Sequence, residues 1–223
     1  MPELRNRKWY TPKNFAPWEH GGYSDLADYI SIAKKHNTCL DNERVYNLVL
    51  FAKVANKLDG VMYECGVYRG GTASLLASIK NKNKILRLFD TFDGMPETDS
   101  TRDFFQKGEF PVGNADEVIS SIKSHADTPR TIDIRRGLIP ETFAGLEDDR
   151  ICFAHIDVDI YKSHMDCLSF IYPRIVKAGI ILFDDMGDPG CPGARDAIES
   201  FFEPKDEYPV FLHSGQGVFM KTS

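Results

Sequence analysis

Aspartates follow two apolar runs of the chain, in positions where carboxylates could bind a metal ion. Asp157 and Asp159 come after one run, and Asp184 and Asp185 come after the next. If the two runs form neighbouring parallel strands, their ends lie about 5 Å apart and Asp157, Asp184 and Asp185 converge on one point. With no lysine or arginine expected near them, these carboxylates should have raised pKa values or bind a cation. Their hard oxygen atoms favour Mg²⁺, with Mn²⁺ or Ca²⁺ as alternatives; the competing interpretation is that all four residues cap turns.

A glycine-rich turn marks a second site for chemistry. Residues 61–79 have the pattern of a strand, a turn containing Gly66, Gly70 and Gly71, and a helix whose N-terminus would face a ligand. The G-x-x-x-G-G spacing differs from the G-x-G-x-x-G of dinucleotide-binding turns, and Glu64 just before it would repel a pyrophosphate. The turn resembles motif I of class I S-adenosylmethionine (SAM) methyltransferases. The alternative is a tight turn without a ligand.

Two further positions suit a nucleoside. Asp90 follows a predicted strand at the edge where open α/β sheets bind ligands, and its carboxylate could accept hydrogen bonds from a ribose diol. An ordinary turn aspartate is the alternative for Asp90. Gly137 and Leu138 follow a later predicted strand and are positioned to wall an adenine. A divalent cation beside a methyl donor could hold a substrate hydroxyl, lower its pKa and orient it towards the methyl carbon.

The composition of the 223-residue chain is consistent with one α/β domain. Hydrophobic residues make up 42% of the chain, and the net charge is −6. No basic block suggests a nucleic-acid partner, and we find neither a secretory signal nor an apolar stretch long enough to span a membrane. The five cysteines are scattered without a C-x-x-C pair, which argues against a zinc site or disulfides and predicts a cytoplasmic protein.

Helices and strands are predicted to alternate from Asp41, which is placed to cap a helix. The later elements are predicted at 61–65 (strand), 72–80 (helix), 85–89 (strand), 115–124 (helix), 131–135 (strand), 151–156 (strand), 162–176 (helix) and 179–183 (strand), followed by a hairpin. This order predicts an α/β fold of three layers, with a Rossmann-like, mostly parallel sheet and one antiparallel strand in the C-terminal hairpin. The handedness of parallel crossovers places the strand-end acids along one edge of the sheet.

Two regions carry no motif. Residues 1–24 hold both tryptophans and three prolines, and their aromatic content predicts a strap packed on the body or a lid over a site. Ser24 is predicted to cap a helix that continues to Lys35. We therefore expect an N-terminal strap or lid at 1–40 and one domain at 41–223. The segment 98–114, with three phenylalanines, is expected to form a loop near the site.

The chain resembles the macrocin O-methyltransferase (TylF/MycF) family in five segments that occur in the same order. These segments are ECGVYRGGTA (64–73), DTFDGMPE (90–97), GLIPETF (137–143), HIDVDIYKSHMDCLSFIYPRIVKAGIILFDD (155–185) and CPGARDAIESFF (191–202). The family uses SAM and Mg²⁺ to methylate sugar hydroxyls on macrolides and related natural products. The resemblance implies a class I SAM-dependent methyltransferase domain with a seven-stranded sheet over residues 41–223.

The resemblance also implies roles for individual residues. Asp157, Asp184 and Asp185 would be the metal ligands. The residues implied to contact SAM are Glu64, Gly66, Tyr68, Arg69, Gly70, Thr72 and Asp90, in addition to the adenine wall at Gly137 and Leu138.

The general base is not settled by the pattern. Related catechol-type enzymes carry a lysine three residues after the first metal aspartate, where this chain has Ile160, so a lysine base is excluded at that position. A metal-bound hydroxyl is acidic enough for a weak carboxylate base, which leaves Asp157, Asp159 and His155 as candidates. Asp157 is favoured, because Asp159 better suits a supporting role and His155 a buried strand position.

The sequence therefore predicts a SAM- and Mg²⁺-dependent O-methyltransferase acting on a hydroxyl of a sugar or glycosylated natural product. The alternatives are a catechol-like phenol O-methyltransferase and a non-catalytic SAM-binding protein. A nicotinamide oxidoreductase is disfavoured by the glycine spacing. The expected partner is a small-molecule hydroxyl acceptor rather than nucleic acid or membrane, and the resemblance leaves a homo-oligomer open.

Overall fold

The computed structural model of the chain describes residues 26–36 and 38–222. The predicted strap of residues 1–24, including the cap Ser24, lies outside the described residues. Within the described residues the helices are α1 (Leu26–Lys35), α2 (Asn42–Ala55), α3 (Gly71–Ile79), α4 (Ala115–Ser124), α5 (Tyr161–Ile171) and α6 (Pro192–Phe202). The strands are β1 (Val61–Cys65), β2 (Leu86–Asp90), β3 (Ile132–Arg136), β4 (Ile151–Ile156), β5 (Ile175–Phe183), β6 (Val210–Phe211) and β7 (Gly217–Met220). No helix in this part of the chain is long and apolar enough to cross a membrane.

The strands form one seven-stranded sheet in the order β3-β2-β1-β4-β5-β7-β6. Strands β1 to β5 pair in parallel, and β7 runs antiparallel to both β5 and β6. This topology confirms the predicted mostly parallel sheet with one reversed strand in the C-terminal hairpin. Because β4 and β5 are neighbours, with Ile156 opposite Phe183, the residues that follow the two strands lie side by side.

The sheet separates two hydrophobic cores, so the fold has three layers. Alternate strand residues point to opposite faces, as in β5, where Ile180 and Leu182 join one core while Ile181 and Phe183 join the other. Helices α1 to α4 pack in the first core, and α5 and α6 pack in the second. Strands that are buried on both faces are apolar throughout, which explains why the central strands appear as continuous apolar runs in the sequence.

The predicted boundaries of α3 and α4 lie within one residue of the observed ones, whereas the predicted end of α5 is wrong. Asp41 caps α2 as predicted, since its side chain accepts a hydrogen bond of 2.8 Å from the backbone N–H of Arg44. The helix predicted at 162–176 is too long, because α5 ends at Ile171 and a 3-10 turn over Tyr172–Arg174 leads into β5. Pro173 has no N–H to donate to a continuing α-helix. Consequently β5 begins at Ile175, four residues before the predicted start of that strand.

Candidate active site

A cavity of about 320 Å³ lies at the carboxyl ends of the parallel strands. Strand β1 has β2 on one side and β4 on the other, so the chain order reverses there, and open α/β sheets bind ligands at such a point. The glycine turn and Asp90, which follow β1 and β2, line one part of the cavity, called here the glycine-turn end. The predicted metal-binding aspartates, which follow β4 and β5, line the other part, called here the carboxylate end. The structure therefore brings the two predicted sites into one cavity.

The turn after β1 requires glycine at its first position. Gly66 has φ +86°, and a Cβ atom there would overlap the backbone carbonyl oxygen of Asp157 at the end of β4. The backbone N–H of Gly66 donates to the carbonyl of Phe89 in β2, at 2.9 Å. The turn thus packs tightly against the ends of β2 and β4. Because Gly66 has no side chain, its backbone faces the cavity directly.

Asp90 holds this turn in place. One of its carboxylate oxygens, Oδ2, accepts hydrogen bonds from the backbone N–H groups of Val67 (2.6 Å) and Tyr68 (2.8 Å), and Oδ1 accepts one from Phe92 (2.6 Å). Asp90 therefore stabilises the turn, which is the role of an ordinary turn aspartate that the sequence offered as the alternative to ribose binding. It also lines the cavity, so the predicted contact with a ribose remains a prediction.

The other predicted SAM contacts lie around the same end. Arg69 is exposed, with its guanidinium 5.0 Å from the ring centroid of Tyr68. Thr72 is buried in the first turn of α3 and lines the cavity. Gly137 and Leu138 line it from the segment after β3. Gly70, the N-cap of α3 with φ +82°, packs against α4 instead and is not among the lining residues.

Glu64 lies outside the cavity lining. Its side chain is fully buried and its Oε1 is 3.0 Å from Nδ1 of His155, the residue beside it on β4. On the other side of the ring, Nε2 of His155 is 3.8 Å from Oδ1 of Asp184, which is too long for a hydrogen bond but close enough for attraction between charges. Burial disfavours the charged ring, yet Asp184 and Glu64 outweigh it and raise the pKa of His155 to about 9. His155 is the buried, hydrogen-bonded strand residue that the sequence suggested.

The three predicted metal ligands converge. Asp157, Asp184 and Asp185 each place one carboxylate oxygen within 4.8 Å of the other two. Oxygen atoms bound to one Mg²⁺ at 2.0–2.1 Å are separated by about 4.2 Å at most, so small side-chain movements suffice for joint coordination. The donor set consists of hard oxygens, which fits Mg²⁺.

The pKa values of these three carboxylates are shifted from the ordinary value, and not all in the same direction. Burial and repulsion from neighbouring carboxylates raise the pKa of Asp157 and of Asp185 well above the ordinary range. The pKa of Asp184 is lowered instead, because His155, Arg44 and Gln216 outweigh the effect of burial. For Asp157 and Asp185, nearby positive charge does not offset burial and repulsion, and a divalent cation would supply such charge.

The expectation that no basic residue lies near the cluster is wrong. Arg44, three residues after the cap of α2, donates from Nη1 to Asp184 at 2.9 Å and from Nη2 to Asp188 at 3.1 Å. Gln216 in the hairpin loop donates to the other oxygen of Asp184 at 2.8 Å and is fully buried. No local motif marks either residue, because both reach the site from distant parts of the chain.

Asp159 lies beside the three converging carboxylates and contacts Asp185 and Cys191. Its backbone N–H donates to Oδ2 of Asp185 at 3.0 Å, and its Oδ1 accepts a contact of 3.5 Å from Sγ of Cys191. Burial, repulsion from Asp184 and other nearby acids raise the pKa of Asp159 to about 6, against the opposing Cys191 contact. Cys191 is buried in the loop before α6, as expected of a structural thiol.

The loop predicted at 98–114 covers one side of the cavity. Phe105 and Phe110 line it, with ring centroids 5.0 Å apart, and Phe110 also meets the ring of Tyr68 at 5.9 Å. Asp103 anchors the loop, because it is buried and accepts a hydrogen bond of 2.9 Å from the first backbone N–H of α5, that of Tyr161. This anchor is a further residue that sequence reasoning missed.

Known proteins resemble this chain at the level of sequence. The family model described as macrocin-O-methyltransferase (TylF) matches residues 33–219. A demethyldecarbamoylnovobiocin O-methyltransferase of Streptomyces niveus is 24% identical over an alignment of 166 residues, which covers 69% of this chain but only 63% of that relative. The match to this relative therefore leaves more than a third of its length uncovered.

A second relative and a solved structure extend the comparison. The 8-demethyl-8-(2,3-dimethoxy-alpha-L-rhamnosyl)-tetracenomycin-C 4'-O-methyltransferase of Streptomyces olivaceus is 23% identical over 211 residues, covering 87% of this chain and 77% of the relative. The structure of the O-methyltransferase NovP superposes with a TM-score of 0.71 at 19% identity, covering 83% of this chain and 82% of NovP. At this identity the superposition demonstrates a shared fold. Since the family model spans most of the chain, the protein belongs to the macrocin-O-methyltransferase (TylF) family.

Proposed function

We propose that the chain is a SAM-dependent O-methyltransferase that methylates a hydroxyl of a glycosyl group on a small molecule, with Mg²⁺ as its divalent cation. One observation carries the proposal: a single cavity joins the glycine turn after β1 to three converging carboxylates. Both curated relatives are named as O-methyltransferases, and the name of one specifies a rhamnosyl-bearing acceptor. The second name supports a glycosylated acceptor for this chain as well.

The end of the cavity with the glycine turn would hold SAM. Bare backbone at Gly66 leaves room for a ligand, Asp90 keeps the turn in its shape, and Gly137 and Leu138 supply a wall at the end of β3. When bound, SAM supplies an electrophilic methyl group on its sulfonium sulfur. The residues of this chain bind and orient the donor there, and the loop carrying Phe105 helps to exclude water.

The opposite end would hold Mg²⁺ through Asp157, Asp184 and Asp185, whose oxygens lie close enough to share one ion. When bound, Mg²⁺ supplies positive charge that lowers the pKa of an acceptor hydroxyl. Asp157 and Asp159 both line the cavity, so either carboxylate lies where it could take the proton of the acceptor hydroxyl. His155 is fully buried, so we infer that it orients Glu64 and Asp184 instead of taking the proton.

Calorimetric titration tests the proposal. SAM and S-adenosylhomocysteine are titrated with and without Mg²⁺ into the wild type and into Asp184→Asn. We expect both nucleosides to bind both proteins and Mg²⁺ to bind the wild type far more tightly. Absence of nucleoside binding to correctly folded wild type would overturn the central claim. Nucleoside binding without methyl transfer to any glycoside or phenol would favour a non-catalytic SAM-binding protein.

A phenolic acceptor is the second candidate, and the aromatic side chains at the cavity favour it. Phe105, Phe110 and Tyr68 could stack on a planar ring. A methyl-transfer assay that offers glycosides and catechols in parallel, with SAM and Mg²⁺, separates the two. Turnover of glycosides alone would support the first proposal, and turnover of catechols alone would replace it.

For the N-terminal region we propose a strap or lid at residues 1–40, in front of the methyltransferase domain at 41–223; the structure describes residues 26–36 and 38–40 of it. Leu26 and Ala33 of α1 are buried, and α1 packs against α2 and α3. We further propose a cytoplasmic location, consistent with five free cysteines. Deleting residues 1–40 should then lower the thermal stability, because the buried side chains of α1 would be lost. Unchanged stability after this deletion would contradict the packing role of this region.

A further inference from the structure

Arg44 brings a guanidinium to the carboxylate end of the cavity. Its guanidinium spans two carboxylates, those of Asp184 (2.9 Å) and Asp188 (3.1 Å), and its side chain is only 18% exposed. The other basic residue among the described residues that line the cavity, Arg69, lies over the ring of Tyr68 at the glycine turn. Arg44 is therefore built into the cluster and is not a solvated surface arginine.

The surroundings of Arg44 are strongly acidic. Five carboxylates line this end of the cavity, those of Asp157, Asp159, Asp184, Asp185 and Asp188. Two buried histidines face the cluster, one 3.8 Å from Asp184 (His155) and one 3.6 Å from Asp185 (His164). The guanidinium cannot lose its proton, so it is a permanent positive charge among these groups.

We propose that Arg44 is a built-in counter-cation of this cluster, which neutralises Asp184 and Asp188 before a divalent cation binds and thereby sets the affinity for that cation. This inference rests on the proposed Mg²⁺ site. A divalent cation held by Asp184 would lie within a few ångströms of the guanidinium, and like charges at that distance repel. Arg44 therefore lowers the affinity for the metal ion. In the metal-free site, the same residue compensates buried negative charge that would otherwise be unpaired.

The contacts of Asp184 explain why the charge of Arg44, more than its hydrogen bonds, sets the affinity. Gln216 already holds Oδ1 of Asp184 at 2.8 Å, and Gln216 is itself held through its Oε1 by Asn47 at 3.0 Å. The orientation of Asp184 would thus survive the loss of Arg44. What would change is the electrostatic balance, because one positive charge would leave the cluster.

Metal binding without any acceptor measures this effect. Mn²⁺ is titrated into wild type, Arg44→Gln and Arg44→Lys, with free Mn²⁺ read by electron paramagnetic resonance, and Mg²⁺ binding is followed by calorimetry. We expect Arg44→Gln to bind Mn²⁺ about tenfold more tightly than the wild type. Arg44→Lys keeps the positive charge and should bind Mn²⁺ about as tightly as the wild type. The matched control is Arg195→Gln, which removes an exposed arginine paired with Glu199 outside the cavity lining and should leave the affinity unchanged.

Thermal unfolding gives a second measurement. Arg44→Gln should be less stable than the wild type without metal and should gain more stability from Mg²⁺, because tighter binding to the native state stabilises it more. If this variant folds only with Mg²⁺, that result also supports the proposal. If it does not fold at all, Arg44→Lys decides: because the charge is kept, an Mn²⁺ affinity that differs more than about threefold from that of the wild type would overturn the inference. Equal or weaker binding by folded Arg44→Gln would overturn it as well, whereas a wild type that binds no Mn²⁺ would refute the proposed metal site itself.

Discussion

The two ends of the cavity are built in different ways. Most of the glycine-turn end comes from one strand–turn–helix unit and the next strand, which span about thirty residues of the sequence and include Gly66 and Asp90; Gly137 and Leu138 join it from the segment after β3. The carboxylate end combines the ends of β4 and β5 with Arg44 from α2 and Gln216 from the hairpin loop. The first end depends on local backbone geometry, and the second depends on electrostatic balance between distant parts of the chain.

This difference decides what each end tolerates. A tight turn has no room for an added atom, so steric change there should damage the fold itself. A cluster of buried charges needs compensation, so changes of charge there should alter ion binding as well as stability. Each of the following variants tests one side of this contrast.

Gly66→Ala should have the largest effect. The new Cβ would overlap the carbonyl oxygen of Asp157 at a backbone φ of +86°, and we expect a loss of about 3 kcal/mol or more in the free energy of unfolding, together with loss of SAM binding. The control is Gly113→Ala, where φ is +83° but nothing lies within 4 Å of the added atom. That variant should lose only about 1 kcal/mol. Urea denaturation measures both, and equal losses would show that close approach to β4 is not what Gly66 provides.

Asp184→Asn tests the carboxylate end. Replacing one charged ligand oxygen should weaken Mg²⁺ binding by about 100-fold or more while the protein still folds, because Asp188 keeps Arg44 paired. Asp188→Asn is the matched control, since it removes an equal charge from the same arginine without touching the three converging carboxylates. Calorimetry with Mg²⁺ should show less than about a tenfold loss for the control. Similar losses in both variants would mean that total charge, and not coordination by Asp184, governs binding.

Asp103→Ala should loosen the loop over the cavity. Its buried carboxylate accepts from the first N–H of α5, and a Cβ on Gly193 in the first turn of α6 would collide with it, so Asp103 lies between two helix N-termini. We expect a loss of about 1–2 kcal/mol in the free energy of unfolding. Chymotrypsin should also cleave faster after Phe104 and Phe105. Asp93→Ala, which breaks an exposed pair with Arg136, should change neither property. Unchanged cleavage in Asp103→Ala would show that the loop is held by other contacts.

The smallest effect is expected at the pair of His36 and His125, which are not among the residues that line the cavity. Nε2 of His36 lies 3.3 Å from Nε2 of His125, and burial together with His125 lowers the pKa of His36 below 6.5. The native state therefore favours the neutral ring, so its stability is complete above about pH 6.5 and declines as pH falls below that value. Because the pair is partly exposed, we expect its share of the decline in melting temperature between pH 7 and pH 5 to be less than about 2 °C. The decline should be smaller in His125→Gln, and an unchanged decline would exclude the pair as its cause.

Local signals in the sequence predicted much of this structure correctly. Asp41 indicated the start of α2, and the 115–124 helix was predicted with its observed bounds. The alternation of helices and strands predicted the sheet, including the reversed strand near the C-terminus. Errors arose where local pattern was ambiguous, as between α5 and β5, because apolar residues around Pro173 suit a helix and a buried strand equally well.

The sequence by itself determined the order of the elements, the glycine turn and the presence of aspartates after two adjacent strands, because each depends on residues close together in the chain. Only the tertiary structure decided that Arg44 and Gln216 meet Asp184, that Glu64 faces His155 and not the cavity, and that Asp103 anchors the loop. Such contacts join residues that are far apart in the chain, and no periodicity records them. The charge of the site is therefore a property of the fold, while its backbone shape is already encoded in the turn.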